Sequence, residues 1–461
     1  MSMGESMTAV DRAWLRMERP TNPMIVMGLL ITSRPLRRAA LCEIVAERFL
    51  AFDRFRCVPV MDALRGQWVR NQAFDLDDHV LRVALPAPAG KTQLEALAGE
   101  LASAPFNTGR PLWTFHLVER YQGGSALIVR IHHCYADGIA LMHVLANLAD
   151  EQPAETRGAA APGAPGSPGL LGPGPLAQTF RKYSDLLEKG LHFTLHPLEA
   201  AAASREVLGL AGELARLGVG MADDPATRLK QPLSGVKRVA WGEPLALEEV
   251  RTVGRVLGCT INDVLIATLA GALGRYLDAQ GEPTAGMTIR AAVPVNLRSA
   301  GASFEMGNRF GLAFAELPIG IRHPLERLYA VHSSMQALKS SPEALVTFGL
   351  LAAIGALPAA VEDPAIAFFS AKASVVASNL RGPAGALHLG GAPISQLLFW
   401  VPQSGSIGTG VSMFTYRDEV QVGVISDRRL IPEPGELVSI IQQEFDRLVL
   451  LVLLGGSSLS R

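Results

Sequence analysis

The apolar positions fall into two rhythms, one of period two and one near 3.6, on either side of a single break. Ser125–His132 (SALIVRIH) is a short, largely apolar and β-branched run, the pattern of a buried strand. Just beyond it, Gly138–Ala149 (GIALMHVLANLA) places apolar residues at helical intervals, with Asp137 positioned as its cap. Farther on, Val236–Trp241 and Met287–Val295 predict strands, while Leu247–Leu257 and Ile261–Leu277 predict helices. The short run Leu448–Leu454 reads as core. The break is Pro153–Pro175, about half proline and glycine, a composition that cannot bury a core and reads as a crossover between lobes. Helical spacing resumes from Leu176 to Leu217. Strands and helices mix throughout, so the class is α/β or α+β. The expected divisions are a first lobe over 1–152, a crossover with helices over 153–234, and a second lobe over 235–461. No internal repeat is visible.

Composition narrows the function classes. At 461 residues, 49% hydrophobic and 18% charged, the chain can bury a large core in about two or three domains. Its 42 basic and 43 acidic residues leave a net charge of -1, so no global field gathers nucleic acid, and none is expected as a partner. Cys42, Cys57, Cys134 and Cys259 form neither a CxxC pair nor a metal spacing, so reduced thiols and no metal centre are expected. The polar N-terminus lacks the apolar stretch of a signal peptide, and the expected location is cytoplasmic. Ala344–Val361 carries no charge and reaches the lower edge of the roughly 17–25 residues that span a bilayer. Gly349, Gly355 and Pro358 interrupt it, leaving a buried helix, a helix resting on lipid, and a span as its readings.

The strongest chemical signal is IHHCYADG, holding His132, His133, Asp137 and Gly138. Successive strand side chains point to opposite faces, so the two histidines must diverge and only one can meet a reacting centre. A neutral imidazole can take a hydroxyl proton at cellular pH and return it later. Asp137 can cap the helix or pair with a distant arginine, and Gly138 lets the backbone pass tightly. Spacing alone does not choose between the histidines, and two histidines at a strand end also serve as structural groups. Cys134 could act as a covalent nucleophile, although nothing around it marks it as activated.

HHxxxDG is also the signature of the CoA-dependent acyltransferase superfamily, which includes condensation domains of peptide synthetases. The surrounding residues resemble the wax ester synthase/diacylglycerol acyltransferase family. They run in order from SMTAVDRAWLRMERP through PFNTGRPLW, INDVLIATLAGAL, AAVPVNLR, GNRFG and SNLRGP to GVSMFTYRDEVQVGVISDRRLIPEP, covering nearly the whole chain outside the linker.

The resemblance implies a two-lobed fold like chloramphenicol acetyltransferase, with a tunnel between the lobes. It implies direct acyl transfer from acyl-CoA, a co-substrate with no bound cofactor, to a diacylglycerol or long-chain alcohol. His133, the second histidine of the pair, would be the base. Asn262 of the Asn-Asp motif would contact the oxyanion, an interaction typically contributing about 3–4 kcal/mol. Thr260-Ile261-Asn262-Asp263 also fits a capping box, so Asp263 has a structural role in prospect. Arg298 is expected to pair with Asp137 across the lobes, Pro111-Leu112-Trp113 to be structural, and Ser378–Pro383 to form a tight turn near the tunnel. This chain carries Leu380-Arg381 where the family often has Val-Pro, a departure inside that loop. Insoluble substrates imply peripheral attachment to the inner membrane or lipid droplets. Three alternatives remain at this level: a condensation-type enzyme with a carrier-bound donor, a non-catalytic lipid-binding scaffold of the same fold, and a membrane-spanning acyltransferase resting only on Ala344–Val361.

Overall fold

A computed structural model describes residues 5–62, 65–151, 221–298, 306–339, 341, 347–349, 351 and 359–456. The linker, the helices expected from Leu176 to Leu217 and most of Ala344–Val361 lie outside that set.

Two seven-stranded sheets carry the molecule. In the first, the strands run in the order Val80–Arg82, Trp113–Tyr121, Gly124–His132, Ile25–Thr32, Ala392–Trp400, Leu387–Leu389, Asp150–Glu151. Residues 124–132 are buried along their whole length, which is why the stretch reads as a continuous apolar run rather than an alternating one. In the second sheet the order is Leu245–Ala246, Glu419–Asp427, Thr409–Tyr416, Val375–Arg381, Ile289–Asn296, Phe310–Leu317, with Lys237–Trp241 also paired to Glu419–Asp427. Strands and helices alternate within two lobes, the architecture the motifs imply. The lobes are not cut cleanly along the chain, because residues 387–400 leave the second half to complete the first sheet. Ala392–Trp400 packs there against the second sheet, and Trp241 meets Trp400 edge-on at 5.9 Å.

The three helices predicted within the described residues follow their sequence signals closely. Leu247–Leu257 has the predicted bounds, and Ile261–Ala279 and Gly138–Leu148 end within two residues of theirs. Ile261–Ala279 is buried along most of its length because Pro324–Lys339 and Pro434–Gly456 pack against it. Gly271 sits where the buried Arg327–Glu444 ion pair crosses this helix, and a Cβ there would collide with both side chains.

Two expectations need correction. Ser378 and Asn379 are not a turn: they lie in the strand Val375–Arg381, hydrogen-bonded in parallel to Thr409–Tyr416, and the chain bends only beyond Pro383. Leu448–Leu454 is only partly core. Leu448 is fully buried, but Leu450, Leu453 and Leu454 are 54%, 68% and 63% exposed, because the helix Pro434–Gly456 extends past the elements that cover its first half. No single helix among the described residues is long and apolar enough to cross a membrane.

Candidate active site

Gly124–His132 ends at the interface of the lobes, and its pairing with Ile25–Thr32 continues one residue further through His133 N–H donating to Met24 O at 2.8 Å. His132 and His133 then part. His132 accepts from Cys134 N–H on Nδ1 (3.1 Å) and faces the Glu18 carboxylate with Nε2 (3.2 Å). Both of its nitrogens are therefore committed to structure. Glu18 also accepts from Met24 N–H, so this histidine locks the chain beside the first sheet.

His133 turns the other way, into an apolar cleft. The walls come from both lobes: Trp14 and His133 from the first, Ala292, Pro294, Phe310, Leu312 and Phe314 from adjacent strands of the second, and Val401 to Ile407 from the connection between the sheets. Trp14 stacks on the imidazole with ring centroids 4.2 Å apart, and Phe310 lies at 5.4 Å. Burial in this setting lowers the His133 pKa to about 4, since a charged ring would be poorly solvated. The ring is neutral and able to accept a proton at any physiological pH.

Its second nitrogen is held. His133 Nδ1 lies 3.0 Å from Asn308 Oδ1, while Asn308 Nδ2 donates to the Asp11 carboxylate (2.8 Å) and to His133 O (3.0 Å). Asn308 and Asp11 are both buried. Asp11 and Trp14 are three residues apart on the helix Ala9–Arg16, so one helix face supplies both partners. Nε2 is then the ring nitrogen that remains for a substrate.

Asp137 caps Gly138–Leu148 through Ala140 N–H at 3.0 Å. Its other oxygen accepts from Arg298 (2.5 Å) and from Arg309 N–H (2.8 Å), joining the lobes beside the histidine. Gly307, at φ +112°, turns its carbonyl to the second Arg298 nitrogen at 2.8 Å, a backbone conformation that favours glycine. A Cβ on Gly138 would approach Leu380 within 3.1 Å, so the chain passes closely there.

Asn262 is not among the residues that line the cleft. Its side-chain oxygen accepts from Asn379 Nδ2 at 2.5 Å, tying the start of Ile261–Ala279 to the strand Val375–Arg381. Asp263 closes the capping box with Thr260 and also meets His332 at 2.7 Å. Cys259, Asp263 and His332 bring one ligand-type atom each within 4.8 Å of one another, while Gln336 also engages His332 at 3.0 Å. Hydrogen bonding within this group fastens the helix start. Trp113 is fully buried, with its indole N–H donating to Phe55 O. Burial lifts the Cys134 thiol well above its usual range, the opposite of an activated nucleophile.

Comparison with known proteins identifies this arrangement. Residues 7–265 match the wax ester synthase/diacylglycerol acyltransferase catalytic domain, and residues 306–449 match the C-terminal domain of the same family. The chain belongs to that family. A Mycobacterium tuberculosis H37Rv protein named "Probable diacyglycerol O-acyltransferase tgs1" is 29% identical over 406 residues, covering 86% of this chain and 84% of that protein. A solved wax ester synthase/diacylglycerol acyltransferase from Marinobacter aquaeolei VT8 superposes with a TM-score of 0.69 at 24% identity, covering 97% of this chain and 99% of that one. A condensation domain of the calcium-dependent antibiotic synthetase shares the fold at a TM-score of 0.60 and 14% identity, over 98% and 96% of the two chains. The chain is an acyl-CoA-dependent O-acyltransferase, and the condensation-type alternative has fold-level likeness alone.

Two site residues escaped the sequence reading. Asn308 stood in view inside GNRFG and Asp11 inside the N-terminal motif, but nothing in a linear pattern shows that they meet each other and His133.

Proposed function

We propose that His133 is the general base that moves a fatty acyl group from acyl-CoA to the hydroxyl of a diacylglycerol or long-chain alcohol. The observation that carries this is a neutral, buried imidazole at the wall of an apolar cleft, held from its far side so that Nε2 is left for substrate. The acceptor O–H gives its proton to Nε2 while its oxygen attacks the thioester carbon. The tetrahedral intermediate collapses with cleavage of the C–S bond, and the departing sulfur takes the proton back from Nε2. One base serves both steps, and no acyl-enzyme is formed. The apolar walls suit an alkyl chain and keep out the water that would hydrolyse the thioester.

On the motif alone, Asn262 is proposed to serve the developing oxyanion; its oxygen is held by Asn379 and it does not line the cleft. Asp137 and Arg298 hold the lobes in register around the base; breaking a buried pair of this kind costs about 3–5 kcal/mol. The names of the mycobacterial relatives favour diacylglycerol as acceptor. We place the protein in the cytoplasm, peripherally on membrane or lipid-droplet surfaces, through the exposed leucines of the C-terminal helix. Liposome flotation tests that attachment. CoA release from palmitoyl-CoA, measured separately with dioleoylglycerol, with hexadecanol and with neither, tests the reaction. Release that depends on one or both acceptors is expected; equal release in all three would overturn it.

A further inference from the structure

The chemistry of His133 depends on which ring nitrogen carries the proton; its own backbone carbonyl, which also engages the ring, and the surroundings of Asn308 both bear on this. A carboxylate and a backbone carbonyl can only accept hydrogen bonds. Asp11 Oδ1 lies 2.8 Å from Asn308 Nδ2, and His133 O lies 3.0 Å from the same nitrogen. Both oxygens require the NH2 end of the amide, so the carbonyl end must face the imidazole. Asn308 Oδ1, itself an acceptor, then requires a hydrogen on His133 Nδ1, 3.0 Å away. The lone pair is left on Nε2.

We propose that Asp11 and Asn308 are positioning residues that set the tautomer of His133. Asp11 acts through Asn308, and Asn308 acts through its amide orientation; neither touches the reacting atoms. The proposal rests on His133 being the base and adds how the protein makes it one. His132 supplies the contrast. Its Nδ1 accepts from Cys134 N–H, so its hydrogen sits on Nε2, toward Glu18. Two adjacent histidines are thus held in opposite tautomers by different partners.

Burial supports the assignment. Asp11, Asn308 and His133 are each 6% exposed or less, so water does not compete for these bonds. The charged or titratable groups around the ring are Asp11 on Ala9–Arg16, Asp137 and His132 on its own segment, Arg298 on the second lobe, and Arg54, which lies 3.8 Å from Asp11 Oδ2. Desolvation raises the Asp11 carboxyl pKa above its ordinary value, opposed by the Asn308 hydrogen bond and by Arg54. Protonated Asp11 could donate instead of accept, and the directional information in the chain would be lost. Arg54 therefore belongs to the device as the cation that favours the accepting form.

The test uses the full-length protein with 15N-labelled histidine at pH 7.5, the His133 signals being those absent from His133→Ala. The spectrum needs no substrate, so it decides the tautomer even if the assigned reaction is wrong. Wild type should show the hydrogen on Nδ1 of His133 and on Nε2 of His132. Asn308→Leu, close in shape but unable to accept, should redistribute the His133 proton; Asp11→Asn should do so in part. In the acceptor-dependent CoA-release assay both variants should lose kcat while the KM for palmitoyl-CoA stays within about twofold. Loss of tautomer control by a triad aspartate costs about 10⁴ in kcat, and a neutral amide relay should cost roughly 10–10³-fold. A wild-type His133 with its hydrogen on Nε2 would overturn the proposal, and that result does not depend on how either variant folds. So would an unchanged tautomer and kcat in both variants.

Discussion

At the scale of the residue, burial is the dominant force on the site. His133 and His116 both have pKa values lowered to about 4 by desolvation. An unfolded histidine titrates near 6.5. Between those values the unfolded chain binds protons that the folded one does not, so stability falls as pH drops from about 6.5 toward 4. Each ring contributes a slope of up to about 1.4 kcal/mol per pH unit. His116 lies away from the cleft, bonded to Thr114 Oγ1 at 2.9 Å. Replacing it tests the effect without touching the base. His116→Gln should show a smaller fall in thermal midpoint between pH 7 and pH 5 than wild type; an equal fall would show that His116 is not held neutral. The histidine pair was legible because HHxxxDG concentrates its chemistry in seven positions. The His133–Asn308–Asp11 chain was not, because its members stand 175 and 297 residues apart and meet only through the fold.

At the scale of the element, helices were legible to within about two residues where periodicity and caps agreed, as at Asp137 and Thr260. The failures share a cause. Ser378–Pro383 has the composition of a turn, but parallel pairing of residues 376–381 with Thr409–Tyr416 outweighed local preference as far as Arg381. Leu448–Leu454 is apolar enough for a core, and exposure depends on whether a neighbour reaches that far along the helix. Leu450, Leu453 and Leu454 follow i, i+3, i+4 spacing and so share a face. Fully burying one leucine contributes about 1.5–3 kcal/mol, so three entering a lipid surface would hold the protein there measurably. Wild type should float with anionic liposomes containing diacylglycerol, and the combined Leu450→Ser, Leu453→Ser, Leu454→Ser variant should stay at the bottom of the gradient. Equal flotation of both would remove this face from the account.

At the scale of the whole molecule, the two lobes are needed together because neither completes the site. The first supplies His133, Asp11 and Trp14; the second supplies Asn308, Phe310 and Arg298. Lys237 strengthens the join from within. It is buried, donates to Asn22 Oδ1 (2.6 Å) and Gln403 Oε1 (3.1 Å), and has its pKa lowered to about 8 by desolvation. The two-lobed class was legible from mixed strands and helices around one proline- and glycine-rich break. The return of residues 387–400 into the first sheet was not, since strand partners are chosen by three-dimensional proximity.

The central claim is that His133, and not its neighbour, is the base. Its most direct test is dioleoylglycerol-dependent CoA release from palmitoyl-CoA by wild type, His133→Ala and His132→Gln, with folding of each checked by circular dichroism. A folded His133→Ala should lose roughly 10²–10⁴ of the rate, the range for general base catalysis, while a folded His132→Gln keeps most of it. A His133→Ala enzyme within tenfold of wild type, or a larger loss in His132→Gln, would contradict the account.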